Sequence, residues 1–494
     1  MSAPHAPSVP QADYSRKWWV LLSVAMGTFL STIDSSIVNV ALPTLEDKLN
    51  TRFATVQWVV VAYLLVVTSL ILGVARLGDM IGKKRIYLTG MAVFTVASLL
   101  CGLAPSVGFL IAFRVVQGLG AVMMQALGMA IVTEAFPRTE RGRALGIMGT
   151  VVSLGISIGP TVGGLLIGTV GWRAIFLVNL PVGIVGFALV QRHVPDWRPP
   201  GGQRFDALGA ALLLIALLAL ALGLTFGPEQ GWGSAPILAL LISAALGFAV
   251  FLAVEKHLAQ PMVDLRLFRD PLFSISLLTG FLVFMVIAGM FVLPFYLEWV
   301  KGYDPGRVGL FLTVMPVALG LSAPIAGSLS DRYGSRGISL VGLVIVVGAC
   351  LGIATLQENT SAMGYILRLL PLGLGVGIFQ SPNNSAIMGA APRERLGVAS
   401  GLLSLSRAFG QVTGLPLIGA VFASRVYAVT SLDHGVDASD APAWAIVEGV
   451  QAAFLAGAAL VMIGVVLAAL AFRLDRRRRV AALDAAHVPD VASD

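Results

Sequence analysis

One carboxylate, Asp34, lies inside the first long apolar segment of the chain, which spans residues 18–42. A charged side chain at the centre of a membrane-spanning helix costs about 2.5–3.5 kcal/mol on insertion scales, so it needs a partner or a function. Acids in this position usually face a bundle interior or a water-filled cavity, and many of them carry protons. Asp34 therefore predicts a proton-binding site. The alternative is a structural carboxylate held by neighbouring donors.

Arg114 is the basic side chain that we expect near Asp34. Asp34 is eight residues from the end of its segment at Leu42, and Arg114 is seven residues from the start of another segment at Val107. At 1.5 Å per residue, these positions are about 12 Å and 10 Å deep from the same side. A guanidinium favours the ionised carboxylate and desolvation favours the protonated one, so a switch between these environments would load and unload a proton. The alternative is a fixed structural partner.

Composition places both residues in a membrane. The chain is 57% hydrophobic and only 12% charged, whereas soluble domains are about 25% charged. A bilayer-spanning helix needs about 20 apolar residues. Fourteen such segments are predicted, near residues 18–42, 55–77, 86–104, 107–133, 142–170, 174–193, 207–226, 235–255, 272–298, 307–330, 337–356, 362–390, 397–425 and 448–472.

The basic residues set the topology of these segments. They cluster on alternate loops and tails, as at Lys83–Arg85 and Arg476–Arg479, whereas the stretch 426–447 has none. By the positive-inside rule, we expect a multi-pass protein of the cytoplasmic membrane with both termini in the cytoplasm. The net charge of +7 is then a topology signal and predicts no nucleic-acid partner. Cys101 and Cys350 are isolated thiols, and no metal site is expected.

An internal repeat divides the chain into two halves. The stretch around Asp79 recurs around Asp331, 252 residues later. The second copy begins on the same side of the membrane, as in transporters that rock one half against the other. The predicted organisation is an N-terminal tail (1–17), a six-helix bundle (18–193), a linker region with two inserted helices (194–271), a second six-helix bundle (272–472) and a C-terminal tail (473–494).

Four motifs carry a family resemblance, and they occur in the expected order. The stretches 32–43, 78–85, 114–120 and 155–164 resemble signatures of the major facilitator superfamily, specifically its fourteen-span drug:proton antiporter branch. The resemblance covers nearly the whole chain. One departure is Ala75, where the family motif usually has glycine, although the second copy keeps Gly327. The resemblance implies an all-α membrane fold of two six-helix bundles plus two inserted helices.

Two of these motifs predict gating elements. The first is the loop with Asp79, Gly82, Lys83, Lys84 and Arg85, and its second copy supplies Asp331, Arg332 and Gly334. Its basic groups could meet acids across the seam between the halves, and the resemblance implies that the loop stabilises the outward-open state. The alternative is a solvated loop that only sets topology.

The second gating element is a glycine stripe. Gly155, Gly159 and Gly163 recur every four residues beside Pro160. Small residues at this spacing allow close helix contact, and proline bends a helix. The stripe therefore predicts a hinge or a tight seal, with ordinary close packing as the alternative. A nucleophile elbow at 155–159 is disfavoured because the stretch lies inside an apolar helix.

A substrate cavity is the last predicted feature. Polar and aromatic residues inside spans or at their ends are the candidates for its wall, and each has ordinary packing or solvation as its alternative: Trp58, Tyr63, Gln117, Gln125, Phe291, Glu298, Asn383 and Asn384.

Together with the resemblance, these features predict a proton-coupled exporter of amphipathic, cationic drugs or toxic compounds. The expected partners are protons, small amphipathic substrates and the lipid bilayer, the expected state is a monomer, and the proton gradient replaces any cofactor. One alternative is an exporter of a single endogenous metabolite, antibiotic or lipid. A membrane-embedded enzyme is a weaker alternative, because no catalytic constellation or phosphate-binding loop is found.

Overall fold

The computed structural model describes residues 16–137, 140–196, 206–258, 265–390, 396–430 and 441–486. In these ranges it contains fourteen helices long and apolar enough to cross a membrane, and no β-strand. The predicted all-α, fourteen-span fold is confirmed. In chain order the helices are α1 Lys17–Lys48, α2 Trp58–Ile81, α3 Lys83–Gly102, α4 Val107–Ala135, α5 Arg141–Thr169, α6 Asn179–His193, α7 Ala207–Gln230, α8 Ala235–His257, α9 Pro271–Ala288, α10 Pro305–Tyr333, α11 Ser335–Ile353, α12 Ala362–Ala390, α13 Leu396–Thr430 and α14 Ala443–Ala486.

Two helices are longer than the apolar pattern predicts. The first predicted segment ends at Leu42, but α1 continues to Lys48 with Pro43 inside it. A proline removes one backbone donor, and a long packed helix can tolerate that loss. At the other end of the chain, α14 continues to Ala486, so the predicted tail from residue 473 begins as helix.

The repeat is visible in backbone geometry. Gly82 separates α2 from α3 with φ +112°, and Gly334 separates α10 from α11 with φ +90°. Side chains rarely tolerate this region, so glycine is required at both turns. The copies diverge elsewhere: Arg114 is fully buried, whereas Arg368 lies near the start of α12 and donates to Thr355 Oγ1 at 2.9 Å.

The two halves meet closely at one end of the bundle, and α2 and α13 also touch further along it. We call the end where α1 begins, at Lys17, the near end, and the end where it finishes, at Lys48, the far end. At the far end the ring of Phe53 packs against Phe291, Phe295 and Phe422 of the second half, with centroid separations of 5.8, 5.0 and 5.0 Å. This aromatic cluster closes the far end.

Helices α5 and α10 show how the halves diverge. Near the far end they touch so closely that a Cβ on Gly309 would collide with the carbonyl oxygen of Pro160. Gly149 and Gly320 lie on the same helix faces, eleven residues closer to the near end. A Cβ atom on either of them would meet nothing within 4 Å. Eleven residues are about three helical turns, or about 16 Å. The space between α5 and α10 is therefore closed at the far end and widens towards the near end.

The inserted helices lie against this seam. Helix α7 packs against α2 of the first half and α13 of the second, and α8 packs on α7, where Gly247 faces Ala216. Phe248 of α8 contacts Phe409 of α13, with ring centroids 5.5 Å apart. The inserted pair thus covers one side of the bundle and belongs to neither repeat.

Deletion of residues 206–258, with a flexible linker joining the halves, is expected to leave both halves inserted with native topology. Two spans are removed, so parity is preserved, but loss of the α7 contacts should lower the thermal unfolding temperature. Cysteine accessibility on both sides of the membrane and a melting curve measure the two effects. Deleting α8 alone changes parity and serves as the control. An inverted second half in the double deletion would refute the insertion model.

Candidate functional site

The centre of the first half holds a buried carboxylate with three donors. Arg114 Nη1 lies 2.6 Å from Asp34 Oδ2, and Gln117 Nε2 and Asn179 Nδ2 each lie 2.9 Å from Oδ1. The side chains of Asp34 and Arg114 have no exposed surface. Charge-assisted bonds of this kind are stronger than neutral ones. The site therefore compensates for the cost of burying the carboxylate.

Four helices build this cluster. Asp34 lies in α1, Arg114 and Gln117 lie one turn apart on α4, and Asn179 is the first residue of α6. The hydroxyl of Ser98 on α3 accepts from Gln117 Nε2 at 2.8 Å. The cluster thus fixes α1 against three neighbouring helices. Sequence reasoning missed Asn179 and Ser98, although an amide inside an apolar span was a usable signal.

The guanidinium of Arg114 is held on more than one side. Its Nε donates to the carbonyl oxygen of Val59 at 2.9 Å, and its Nη1 also donates to Gln117 Oε1 at 2.5 Å. The ring of Tyr63 lies 4.3 Å from Cζ, a cation–π contact. Nη2 is buried and has no hydrogen-bond partner in the described part of the chain. Arg114 is therefore fixed in orientation yet keeps an unused donor.

This arrangement keeps the carboxylate and the guanidinium in direct contact. Arg114 Nη1 and Asp34 Oδ2 are 2.6 Å apart, and neither side chain is exposed. Removal of either charge would leave the other buried without compensation, which is strongly unfavourable.

The predicted cavity residues separate into distinct groups. Gln125 is exposed, and the hydroxyl of Tyr63 lies close to it and to Ser35. Asn384 Oδ1 accepts a hydrogen bond from Arg407 at 2.7 Å. Glu298 is half-buried in the π-helical turn Tyr296–Val300 at the far end. The open interior of the bundle thus has polar groups from both halves.

Four cavity candidates lie elsewhere in this conformation. Gln117 belongs to the carboxylate cluster, and Phe291 belongs to the far-end seal because its ring packs on Phe53. Trp58 is buried. Asn383 Nδ2 donates to the Ser276 carbonyl oxygen at 3.0 Å and joins α12 to α9. For these four residues the structure shows ordinary packing, which was the alternative. The position of a residue in its helix gives its depth in the membrane, but it does not tell which neighbour covers the side chain.

The glycine stripe packs against the helix that carries Asp34. A Cβ on Gly155 would lie 3.0 Å from Thr32 Cβ, and one on Gly159 would collide with the Ser36 hydroxyl. Gly163 lies against Ile37 in the same way. Helix α5 continues through Pro160 without a break. The stripe is thus a close-packing surface, and a hinge role stays a prediction.

The basic loop pairs inside its own half in this conformation. All three of its cations find partners on α4, on α6 or just after α6: Lys83 with Glu134, Lys84 with the Gln191 carbonyl oxygen at 2.9 Å, and Arg85 with Asp196 at 3.6 Å. Contacts across the seam are expected in the outward-open state, so they stay a prediction.

The second copy of this loop shows less. Arg332 is exposed, and its Cζ lies 5.4 Å from the ring centroid of Tyr333. The side chains of Asp79 and Asp331 lie outside the described residues. Their gating roles, like that of the loop as a whole, stay predictions.

Comparison with known proteins gives a consistent result. Residues 24–415 match the Major Facilitator Superfamily. Multidrug resistance protein Stp of Mycobacterium tuberculosis is 37% identical over 82% of this chain and 75% of its own length. Riboflavin transporter RibZ of Clostridioides difficile is 35% identical, over 83% and 89%. The tetracenomycin C resistance and export protein of Streptomyces glaucescens is 34% identical, over 83% and 77%.

A solved structure supports the fold alone. The inward-facing, unoccupied form of a bacterial homologue of the human lysosomal transporter Spinster aligns with a TM-score of 0.66. It is 18% identical, and the alignment covers 93% of this chain and 97% of that one.

Proposed function

The chain belongs to the Major Facilitator Superfamily, and from this premise we propose that it is an antiporter that exports amphipathic small molecules in exchange for protons. The observation that carries the proposal is the fully buried Asp34–Arg114 pair, at 2.6 Å, inside a multi-pass membrane protein. A buried acid whose ionised form is stabilised by contact with one cation is a suitable proton carrier, provided that the contact can be broken.

The proposed orientation places the near end in the cytoplasm. The basic loop Lys83–Arg85 lies there, in agreement with the positive-inside rule for the cytoplasmic membrane. The widening between α5 and α10 then faces the cytoplasm, the side from which an exporter collects its substrate. An antiporter has already released its proton inward in this state, and the ionised pair fits that expectation.

The rest of the cycle follows from the two ends of the bundle. Rocking of the halves separates the Phe53 cluster and opens the far end, and water reaches Asp34 from outside. Protonation of Asp34 then releases Arg114. At the near end the halves approach, and Lys83–Arg85 exchange their partners for groups of the second half. Proton binding thereby favours the outward-open state, because Asp34 binds a proton more tightly in that state.

The substrate class is proposed more broadly than the sequence suggested. Two of the relatives are named for drug resistance and one for riboflavin transport, so a single endogenous metabolite remains the alternative substrate. The expectation of cationic substrates came mainly from the family resemblance, with modest support from one buried acid and aromatic surface. Because Arg114 neutralises Asp34 in the inward-open state, the acid does not support a preference for cations when substrate enters. A single chain, with no cofactor besides the proton gradient, is sufficient for the proposed cycle.

Uptake into reconstituted inside-out vesicles tests this function. The lumen corresponds to the cell exterior, so an acidic lumen is expected to drive uptake of members of a compound panel, with proton efflux detected by an external pH dye. Empty vesicles are the control. Uptake of no compound under a pH gradient, or uptake without proton movement, would refute the antiport proposal.

The dependence on membrane potential follows from counting charges. If one proton enters through Asp34 per cycle, export of a monovalent cation moves no net charge, a neutral substrate moves one charge inward, and a monovalent anion moves two. Each charge adds about 2.3 kcal/mol per 100 mV, and 1.4 kcal/mol is tenfold in a gradient. With the potential and the pH gradient clamped separately, we expect export of the cation to be independent of the potential. Export of the neutral substrate should respond as the movement of one charge, and export of the anion as the movement of two.

A cation whose export depends strongly on potential would contradict one proton per cycle. A second acid would then be required. Glu134 pairs with Lys83, whereas Glu298 is half-buried and its Oε1 has no hydrogen-bond partner among the described residues. Glu298→Gln would then be expected to restore independence from potential.

A further inference from the structure

A second intramembrane cation, Arg407 of α13, lies in the other half of the protein. Its Nη2 donates to Asn384 Oδ1 at 2.7 Å, and its Cζ lies 5.4 Å from the ring centroid of Phe284. Its Nε is buried without a hydrogen-bond partner. No Asp or Glu among the described side chains forms an ion pair with it. Arg407 therefore differs from Arg114, because no described acid neutralises its charge.

The neighbours of α13 show where this side chain points. Gly401 faces Leu72 of α2, where a Cβ would lie 3.2 Å away, and Gly419 faces Gln57, just before α2, at 2.6 Å. Ser406 donates to the Leu277 carbonyl oxygen of α9 at 2.9 Å. On a helix with 3.6 residues per turn, Arg407 lies in the sector between the α9 face and the α2 face.

The opposite face of α13 points outward. Phe409 lies there and contacts Phe248 of the inserted helix α8. Ser404 and Gln411 share the sector of Arg407, three residues before it and four after it. Ser404 is exposed and the other two are partly exposed. The three side chains thus form a polar stripe that faces the interior between the two halves.

The depth of Arg407 places it in the open part of that interior. It is eleven residues from the near-end start of α13 at Leu396, which is about 16 Å along the helix. The far-end seal at Phe53 lies beyond it. A ligand that enters from the near end therefore meets Arg407 before it reaches the seal.

We propose that Arg407, with Asn384 and Phe284, binds an anionic group on an amphipathic aromatic ligand, a carboxylate or a phosphate. A membrane-embedded guanidinium without a counter-ion is costly, and an anion would offset that cost. Arginine presents a planar fork of donors that matches carboxylate and phosphate oxygens. The Phe284 ring supplies an apolar surface beside the charge. This inference rests on the proposed transport function for its physiological role, and the anion is either part of a transported substrate or a lipid headgroup.

Binding and transport are measured separately, so that the two proposals can fail independently. Binding is measured in nanodiscs without any gradient, by fluorescence titration with 2-naphthylacetate, its carboxamide, and 2-(2-naphthyl)ethylammonium. We expect the wild type to bind the carboxylate at least tenfold more tightly than the other two probes. Arg407→Gln is expected to remove this preference, because a hydrogen-bonded charge is lost, and to leave carboxamide binding within about twofold.

Two further variants separate charge from structure. Arg407→Lys keeps the charge without the fork, so a reduced preference for the carboxylate should remain. Arg368→Gln alters an arginine far from the stripe and serves as the matched control. Equal affinities of the wild type for all three probes, or an unchanged preference in Arg407→Gln, would overturn the anion site. Carboxylate binding without uptake under a pH gradient would count against the transport proposal alone.

The lipid source is tested by changing the nanodisc. If a headgroup occupies Arg407, adding phosphatidylglycerol to phosphatidylcholine discs should weaken carboxylate binding in the wild type, and this effect should vanish in Arg407→Gln. Equal binding in both discs assigns the site to soluble substrates. Either result keeps the anion site and identifies its occupant.

Discussion

Replacement of Asp34 by Asn is expected to abolish proton-coupled export while the protein stays inserted in the membrane. The amide keeps the shape of the side chain but cannot bind and release a proton. Its amide oxygen can still accept from Gln117 and Asn179, whereas the ion pair with Arg114, at 2.6 Å, is lost. We expect uptake under a pH gradient to fall to the level of empty vesicles. Substrate counterflow, which needs no proton, shows whether the variant still alternates.

Glu134→Gln is the matched control for this variant. It also removes one acid from the first half, but that acid pairs with Lys83 at the near end and lies outside the buried cluster. We expect coupled uptake to persist. Wild-type rates in Asp34→Asn, measured with the same pH gradient, would remove the proton-carrier role from Asp34.

The proximity of Asp34 and Arg114 could be predicted because depth in a helix depends on residue count alone. A rise of 1.5 Å per residue brings both to similar depth. The other donors depend on how neighbouring helices are rotated, and no single helix encodes that. Asn179 and Ser98, from α6 and α3, therefore entered only with the structure.

Other features depend on conformation, which the sequence does not specify. Phe291 was equally suited to a cavity wall and to a seal, and the closed far end makes it a seal. Lys83 was equally suited to pair within its half or across the seam, and the open near end selects Glu134. By contrast, the turns at Gly82 and Gly334 were predictable, because the repeat marks them and their positive φ requires glycine.

Arg407 could have been identified as a candidate site residue from the sequence. It lies inside the predicted span 397–425, so the argument that singled out Asp34 applied to it equally. A search for an acidic partner of Arg407 would have failed, because no acid among the described residues pairs with it. An intramembrane charge without a described counter-ion is as informative as a paired one, since the proposed anion site starts from it.

Arg114→Ala is expected to have the second large effect, on folding as well as on transport. Breaking a buried ion pair from one side leaves an uncompensated charge and costs about 3–5 kcal/mol. Arg114→Lys should restore only part of the function. One ammonium can reach Asp34, but it cannot also donate to the Val59 carbonyl oxygen and stack on Tyr63 as the guanidinium does.

The double variant Asp34→Asn with Arg114→Ala separates the structural role of the pair from its role in proton coupling. It removes both charges, so its loss of stability should be smaller than the sum of the two single losses by at least about 1 kcal/mol. It should still lack coupled uptake, because no titrating group remains. Thermal unfolding and vesicle uptake of all four proteins measure this, with the partly exposed Arg368→Ala as the control. Additive losses, or normal transport by both Arg114 variants, would show that the contact is not the coupling element.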